Sequence, residues 1–449
     1  MSARSRLGLL VSAGALLCLL TGIGLVLHRA GDLDLGGGTR LQLFVGVEMA
    51  GVAIYLLAVT RLLPRQPDGR SLVVVIAAAA FMRLLVLPAP PFLSSDIYRY
   101  VWDGVVQDHG ISPYRYVPAD PALARLRDAA IFPRINRATS ARTIYPPAAQ
   151  LLFGAVAAVS PTVFAMKAAI TGLEALAIGI AAALLGLGGR PASGIAVYAW
   201  SPVSVWEFAG NGHIDAAAIF CLAVALLAVW RGQRAILGAV LGAAVLVKLL
   251  PAAIAPAYWR AREGRGAWLV PVTAIAVVVA GYAAYVGNAG ANILGFLPGY
   301  TTEEGLVSGA GFFAIELIKR FVPSAGDWTP LYLGVAVALL LAVALSFMLS
   351  GALPEDPAIR VRRVAGGALV LTVLLTVVLS PHYPWYFPWI AYFACWWPAP
   401  SVLWLSGAAP LLHLDGSHTS VLWPSLVYLP FGALLIRDLL RARSRAVRS

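Results

Sequence analysis

Charged residues are scarce in this chain. Asp, Glu, Lys and Arg make up 12% of 449 residues, 60% of the chain is hydrophobic, and the mean hydropathy is +0.81. That excludes a soluble domain, because apolar runs of this length must be buried in lipid. Cysteine is nearly lacking too. Cys18, Cys221 and Cys395 each sit inside an apolar run, without metal-ligand spacing or the look of a disulfide framework, so they read as packing residues. No convincing small-residue cleavage site follows the basic start Met1 to Arg6, and neither an internal repeat nor a low-complexity linker interrupts the chain. The expectation is one membrane domain over 1–449 without a cleaved leader. The net charge of +12 would suggest nucleic acid in a soluble protein. Here most arginines fall in short loops between apolar segments, which is a topology signal, and no nucleic-acid partner is expected.

What is present is a series of apolar segments. The first three run over roughly 6–28, 41–60 and 71–88, with Arg61, Arg65 and Arg70 between the second and third. The positive-inside rule puts that loop and the N-terminus in the cytoplasm, so the stretch 89–145 lies outside. Its seven arginines and five aspartates pull weakly the other way. Arg231 and Arg234, Arg260 to Arg265, Arg360 to Arg363 and the tail Arg437 to Arg448 can all be cytoplasmic in one consistent threading. Of the segments near 147–160, 163–187 and 194–209, parity allows two full crossings or none. A span over 213–230 follows, then a helical hairpin whose turn, at Lys248-Leu249-Leu250-Pro251, faces outward. A span near 268–287 leads to a second outer loop, 288–330. Spans near 332–350, 364–380, 383–398, 401–413 and 421–437 return the C-terminus to the cytoplasm, for about 12 to 14 crossings in all. Cysteine labels at Ser112 and Ser417 are expected to react from outside, and one at Ser444 only after permeabilisation.

The longest hydrophilic stretch opens with Ser94-Ser95-Asp96-Ile97-Tyr98-Arg99-Tyr100-Val101-Trp102-Asp103-Gly104. Ser94 or Ser95 as N-cap, with Gly110 and Pro113 as stops, predicts one helix of about four turns. Asp96, Arg99, Asp103 and Gln107 share a narrow polar face, while Ile97, Val101 and Val105 form another. Such a helix is expected to lie on the membrane surface with its acids toward water, and its dipole favours an ionised Asp96 in the first turn. The threading brings Asp96 and Arg99, His213 and Asp215, Lys248, and His382 in Pro381-His382-Tyr383-Pro384-Trp385-Tyr386 to the outer ends of helices, while Glu207 sits between Trp206 and Phe208. Charged groups at membrane depth mark a site or a pathway. A carboxylate with Lys, Arg and His suits a reaction in which a base takes a proton and an anionic group departs.

At these residues the chain resembles the GT-C class of integral-membrane glycosyltransferases, most closely the bacterial mannosyltransferase-like family that uses polyprenyl-phosphate sugars. The resemblance spans roughly 71–400 and is carried by Ser95 to Tyr100 with Trp102-Asp103-Gly104, Ile111-Ser112-Pro113-Tyr114, Tyr145-Pro146-Pro147, Gly212-His213-Ile214-Asp215, Lys248-Leu249-Leu250-Pro251 and His382 to Tyr386. It implies an all-α polytopic GT-C-like fold with interfacial helices on the first outer loop, in a bacterial cytoplasmic (inner) membrane with its site facing outward. It also implies Asp96 as catalytic base, with Lys248, His382 and Arg99 on the lipid phosphate. Tyr98, Trp102, Asp103, Tyr145, Glu207, His213, Asp215, Tyr383 and Trp385 are the candidates for sugar or acceptor contact. The implied partners are a polyprenyl-phosphate sugar, a glycan or glycolipid acceptor and membrane lipids. Metal-using relatives carry an acidic pair where Asp96 stands alone here, so no metal or other cofactor is expected.

Each candidate also has a plain reading. Asp96 and Arg99 at i, i+3 could be a surface pair, Asp103 could solvate its face, and Lys248 could snorkel. His213 and Asp215 could cap a helix, Glu207 could be a buried partner for an arginine, and the aromatics suit an interfacial belt. Two other functions compete. The broken hairpin at Lys248 would suit a flippase or transporter of a lipid-linked precursor, but transporters place polar groups near the midplane. A structural assembly partner has no need of an outer acid among aromatics.

Overall fold

A computed structural model of the chain describes residues 2–29, 37–416 and 420–446. Ser417 and the end of the basic tail, 447–449, lie outside the described residues. Among the described residues the secondary structure is helical, without strands. The first three apolar runs form α1 (Ala3–Arg29), α2 (Gly37–Leu57) and α3 (Gly69–Val86). Asp68 starts α3 by accepting the orphan N–H groups of Arg70 and Ser71 on its side chain, as an N-cap should. The hydrophilic helix α4 covers Asp96–Asp108, with the Ser94 hydroxyl accepting the Asp96 N–H at 3.2 Å. After it come α5 (Pro147–Val159), α6 (Val163–Leu187), α7 (Asp215–Arg231), α8 (Arg234–Val247), α9 (Leu269–Ala289), α10 (Thr329–Leu349), α11 (Pro357–Leu379) and α12 (Leu422–Ala446).

Helix length does not count the expected 12 to 14 crossings, because a broken run can traverse the bundle without forming one long helix. Among the described residues seven helices are long and apolar enough to span a membrane, or eight if Pro202–Gly210 and α7, bent by 114° across their break, count as one. The chain is a multi-pass membrane protein. The run 421–437 lies in the 25-residue α12, and the remaining apolar segments form helices of 3 to 14 residues. Proline explains most breaks: Pro202, Pro384, Pro388, Pro400 and Pro410 each sit in the first turn of a short helix, where the missing N–H is harmless but no longer helix can precede it.

Side-chain ties show which helix ends lie together. The buried Lys167, in the second turn of α6, donates to the carbonyls of Val86 (3.2 Å) and Ala89 (2.6 Å), so α6 starts where α3 stops. Everything between them, α5 included, therefore returns to the end of the bundle it left. This answers the parity question: 163–187 traverses, the broken run Ala192–Gly210 returns, and 147–160 stays at one end. At the opposite end Arg190 donates to Trp396 O (2.7 Å), Arg360 to Val229 O (3.3 Å), and Arg234 faces Glu263 at 3.7 Å. Lys248, beside the first residue of α7, turns the chain at the α4 end as expected.

Helix α5 lies tightly on α4. Gly104 makes this possible, since a Cβ there would collide with the Phe153 carbonyl and come within 2.7 Å of Ala157 Cβ. The expectation that α4 shows its acids to water is corrected. Asp103 is 1% and Arg99 5% exposed, because the loop after α4 and helix α5 fold over the polar face. Ser112 is also buried, so it is a poor labelling site.

Candidate active site

Asp96 opens α4 at a half-buried position. Its Oδ1 accepts from Asn136 Nδ2 (2.9 Å) and its Oδ2 from the Tyr145 hydroxyl (3.3 Å). Burial and then the Asp96 charge push the Tyr145 phenol well up, which keeps it a donor to the carboxylate. Behind Asp96 lies His213, 1% exposed, with Nδ1 4.0 Å from Asp96 Oδ2 and Nε2 3.3 Å from Glu207 Oε2. Neither is an aligned hydrogen bond, and among the described residues Nε2 has no hydrogen-bond partner. The imidazole is held by its face instead: Trp385 stacks on it at 4.0 Å and Tyr383 stacks on Trp385 at 4.4 Å. Gly212 supplies the bend that aims His213, with φ +76° and Ile97 where a Cβ would go.

Three other acids are already matched to cations or imidazoles. Glu207 binds His413 Nε2 at 2.9 Å and Asn211 Nδ2 at 3.2 Å, so its partners are imidazoles and an amide where the sequence suggested an arginine. Asp215 is fully buried, accepting Lys248 Nζ on both oxygens (2.7 and 2.6 Å) and the Trp389 indole N–H (2.9 Å). Burial opposes the Lys248 charge, yet Asp215 outweighs it and the ammonium titrates above its ordinary value. Its Nζ also sits 4.5 Å above the Tyr386 ring. Asp103 pairs with Arg99 Nε at 2.9 Å and accepts from Gln150 Nε2 at 3.0 Å.

Several expected contacts are not brought to Asp96's open side. Arg99 is buried, with Nη2 donating to Ala141 O at 3.0 Å, so it clamps the loop after α4 to that helix and does not face a phosphate. Asp103 belongs to that clamp. Trp102 is 2% exposed and packs on Phe132, so it cannot stack on a sugar. Tyr98 lies under Arg134 on the wall of a separate cavity of about 760 Å³. His382 is half-buried in the turn after Ser380, next to the ring stack.

Sequence reasoning missed Asn136, His413 and Gln150. His413 carried a usable signal, a titratable residue inside an apolar run. Asn136 stands in an irregular loop 40 residues from its partner and carried none. The loop between α9 and α10 also reaches this end: Arg137 pairs with Glu303 at 2.5 Å, and the Tyr300 and Tyr386 hydroxyls lie 3.3 Å apart. Among the described residues no group of three or more His, Cys, Asp or Glu is arranged to hold a metal ion.

A multi-pass helical bundle, with a half-buried carboxylate, stacked aromatics and a Lys248–Asp215 ion pair at one end, has the architecture expected of a GT-C-like membrane glycosyltransferase. Family comparison agrees. The family described as alpha-(1->6)-mannopyranosyltransferase, N-terminal domain, matches residues 10–261, more than half of the chain, and the chain belongs to it. Glycosyltransferase family 87 matches residues 143–381. The chain is thus a glycosyltransferase of mannosyltransferase type. No curated protein and no solved structure matches it.

Proposed function

We propose that the chain transfers a mannose-like hexose from a polyprenyl-phosphate donor to an acceptor hydroxyl at the outer face of the bacterial cytoplasmic membrane, with inversion and with Asp96 as general base. One observation carries this reading. Of the four acids described above, Asp103, Asp215 and Glu207 are fully or almost fully buried against Arg99, Lys248 and two histidines, whereas Asp96 is 24% exposed and held by the neutral donors Asn136 and Tyr145. A carboxylate so placed keeps room and lone pairs for an incoming proton.

The acceptor oxygen attacks the anomeric carbon as its proton passes to Asp96. The bond from that carbon to the phosphate oxygen breaks, and its electron pair leaves with the lipid phosphate. Lys248 and His382 would face the leaving charge, so no second acid need protonate it. The ring stack of Trp385 and Tyr383 offers the hexose an apolar face. No metal or other cofactor takes part in this scheme.

The test is incubation with a panel of polyprenyl-phosphate sugars, reading release of polyprenyl phosphate and the anomeric configuration of the product by NMR. Asp96→Asn should lower turnover roughly 10²- to 10⁴-fold while donor binding stays near normal. Retained configuration would remove the displacement mechanism, and near-normal turnover would remove Asp96 as base. The outward orientation, with cytoplasmic termini, is read by a cysteine label at the exposed His109, which should react in intact cells, and one at Ser444, which should not.

A further inference from the structure

The end of the bundle away from Asp96 holds a cavity of about 410 Å³, formed where the turn after α7, the segment before α9 and the loop before α11 meet. Its walls carry Arg234, Arg260, Arg262 and Arg360 against Glu263 and Glu355, four positive groups and two negative, or +2 net. Arginine-rich loops at one membrane face are ordinary. What is unusual is how these arginines are partnered.

The two other arginines that the structure buries deeply each face a carboxylate: Arg83 meets Glu174 at 2.6 Å and Arg99 meets Asp103 at 2.9 Å. Arg260 is just as buried, 4% exposed, yet among the described residues no carboxylate lies within 4.0 Å of it. Its Nη1 donates to the backbone carbonyls of Pro256 (3.4 Å), Ala257 (3.0 Å) and Trp259 (2.9 Å), and its guanidinium lies 5.7 Å from the centroid of the Phe347 ring, a neutral neighbour. Arg360 is held the same way, by the carbonyls of Pro354, Val229 and Glu355 at 3.0, 3.3 and 2.8 Å. Glu263 is the nearest source of negative charge, but its Oε1 accepts the Leu353 N–H at 2.9 Å and its Oε2 faces Arg234. Burial pulls the Arg260 guanidinium below its ordinary value, Glu263 pulls it back, and Arg363 adds to the depression.

Carbonyls hold these guanidinium groups in place without neutralising them. Buried charges in proteins are paired or bound to a ligand. From these partners and the net +2 of the walls, we infer that the cavity is a binding site for a phosphate group, supplied by the headgroup of an anionic phospholipid in the leaflet at that end. Planar guanidinium groups from separate loops suit phosphate, which accepts from several directions. The lipid source follows from the surroundings. Trp268 and Leu269 at the start of α9 are exposed beside the cavity, and Trp259 in its wall meets Trp268 edge to face at 5.0 Å, an aromatic pair of the kind found at the bilayer interface. A bound headgroup would tie together three loops that otherwise meet through few side-chain bonds.

The test uses full-length protein in nanodiscs and in detergent, with native mass spectrometry and thermal unfolding as readouts. Phosphatidylglycerol should bind and raise the unfolding temperature, zwitterionic phosphatidylcholine should do neither, and inorganic phosphate should compete at high concentration only. Arg260→Gln should weaken phosphatidylglycerol binding about tenfold or more, as loss of one charge-assisted bond implies. Arg262→Gln tests the same wall from an exposed position that the fold does not need, and should weaken binding several-fold. Unchanged phosphatidylglycerol affinity in Arg262→Gln, with Arg260→Gln either unchanged or unfolded, would overturn the site. Equal binding of the two lipids, or binding of inorganic phosphate without phosphatidylglycerol, would overturn the lipid assignment.

Discussion

Replacing Gly104 by alanine adds one methyl group between α4 and α5, and its consequence can be worked out. The added carbon would lie 2.7 Å from Ala157 Cβ, and closer still to the Phe153 carbonyl. Ordinary contact begins near 3.4 Å, so the helices must separate by about 0.7 Å at the least. A backbone carbonyl cannot swing aside as a flexible side chain can. Overpacking of this kind costs about 1–3 kcal/mol. Asp96, the proposed base, sits eight residues along the same rigid helix, and displacing a reacting group by about 1 Å can lower the rate roughly 10²-fold. Gly104→Ala should therefore lose most of its turnover while still folding. Gly154→Ala is the control, because a Cβ there meets nothing nearer than Gln107 at 3.7 Å. Turnover and urea or thermal unfolding of the two variants, measured side by side, decide the matter. Wild-type turnover in Gly104→Ala, or an equal loss in Gly154→Ala, would refute the claim that the α4–α5 contact sets the position of Asp96.

Further expectations concern the surrounding groups. Asp103→Ala leaves Arg99 buried and unmatched and should destabilise the protein by about 3–5 kcal/mol, with part recovered in the Arg99→Met/Asp103→Leu double variant, as unfolding measurements will show. Lys248→Ala should weaken donor binding and lower turnover together, since one cation is proposed to serve both; normal donor affinity by equilibrium binding would contradict that. Burial raises the Glu304 carboxyl above its ordinary value, partly offset by hydrogen bonding to Tyr383. The folded loop then binds more protons than the unfolded chain, so its stability is full below the ordinary carboxylate range and falls as pH rises through the raised value. Hydrogen exchange across 297–311 should quicken over that window, and Glu304→Gln should abolish the pH dependence.

The long apolar runs behind α1, α2, α3 and α6 were legible because a span needs little more than length and hydropathy. α6 falls on the expected 163–187 and α3 starts two residues early. The same signal could not say which of 147–160, 163–187 and 194–209 cross, nor that 383–398 and 401–413 are broken into short helices. An apolar run looks alike whether it crosses lipid, lies packed at one end as α5 does, or is folded into short turns by proline. At the site, Asp96, Lys248 and the Trp385 region could be found because polar groups are conspicuous in an apolar chain. The burial of Arg99 and Asp103 could not. It depends on the Ala141 carbonyl and Gln150, 42 and 47 residues away, and no local pattern encodes a lid of loop closing over a polar face. His413, 206 residues from Glu207, was out of reach for the same reason.

The Lys167 tie between the end of α3 and the start of α6 has a consequence for how such a protein can change. It gathers the two stems of the excursion that holds α4, the loop after it and α5, so the excursion leaves and re-enters the bundle at a single point, as a large Ω-loop does. Residues inserted or deleted between those stems do not alter the distance that the bundle must bridge. Asp96 sits near one stem, and the loop that reaches its open side, carrying Asn136 and Tyr145, lies well inside the excursion. The excursion can be lengthened or shortened while the membrane helices keep their places.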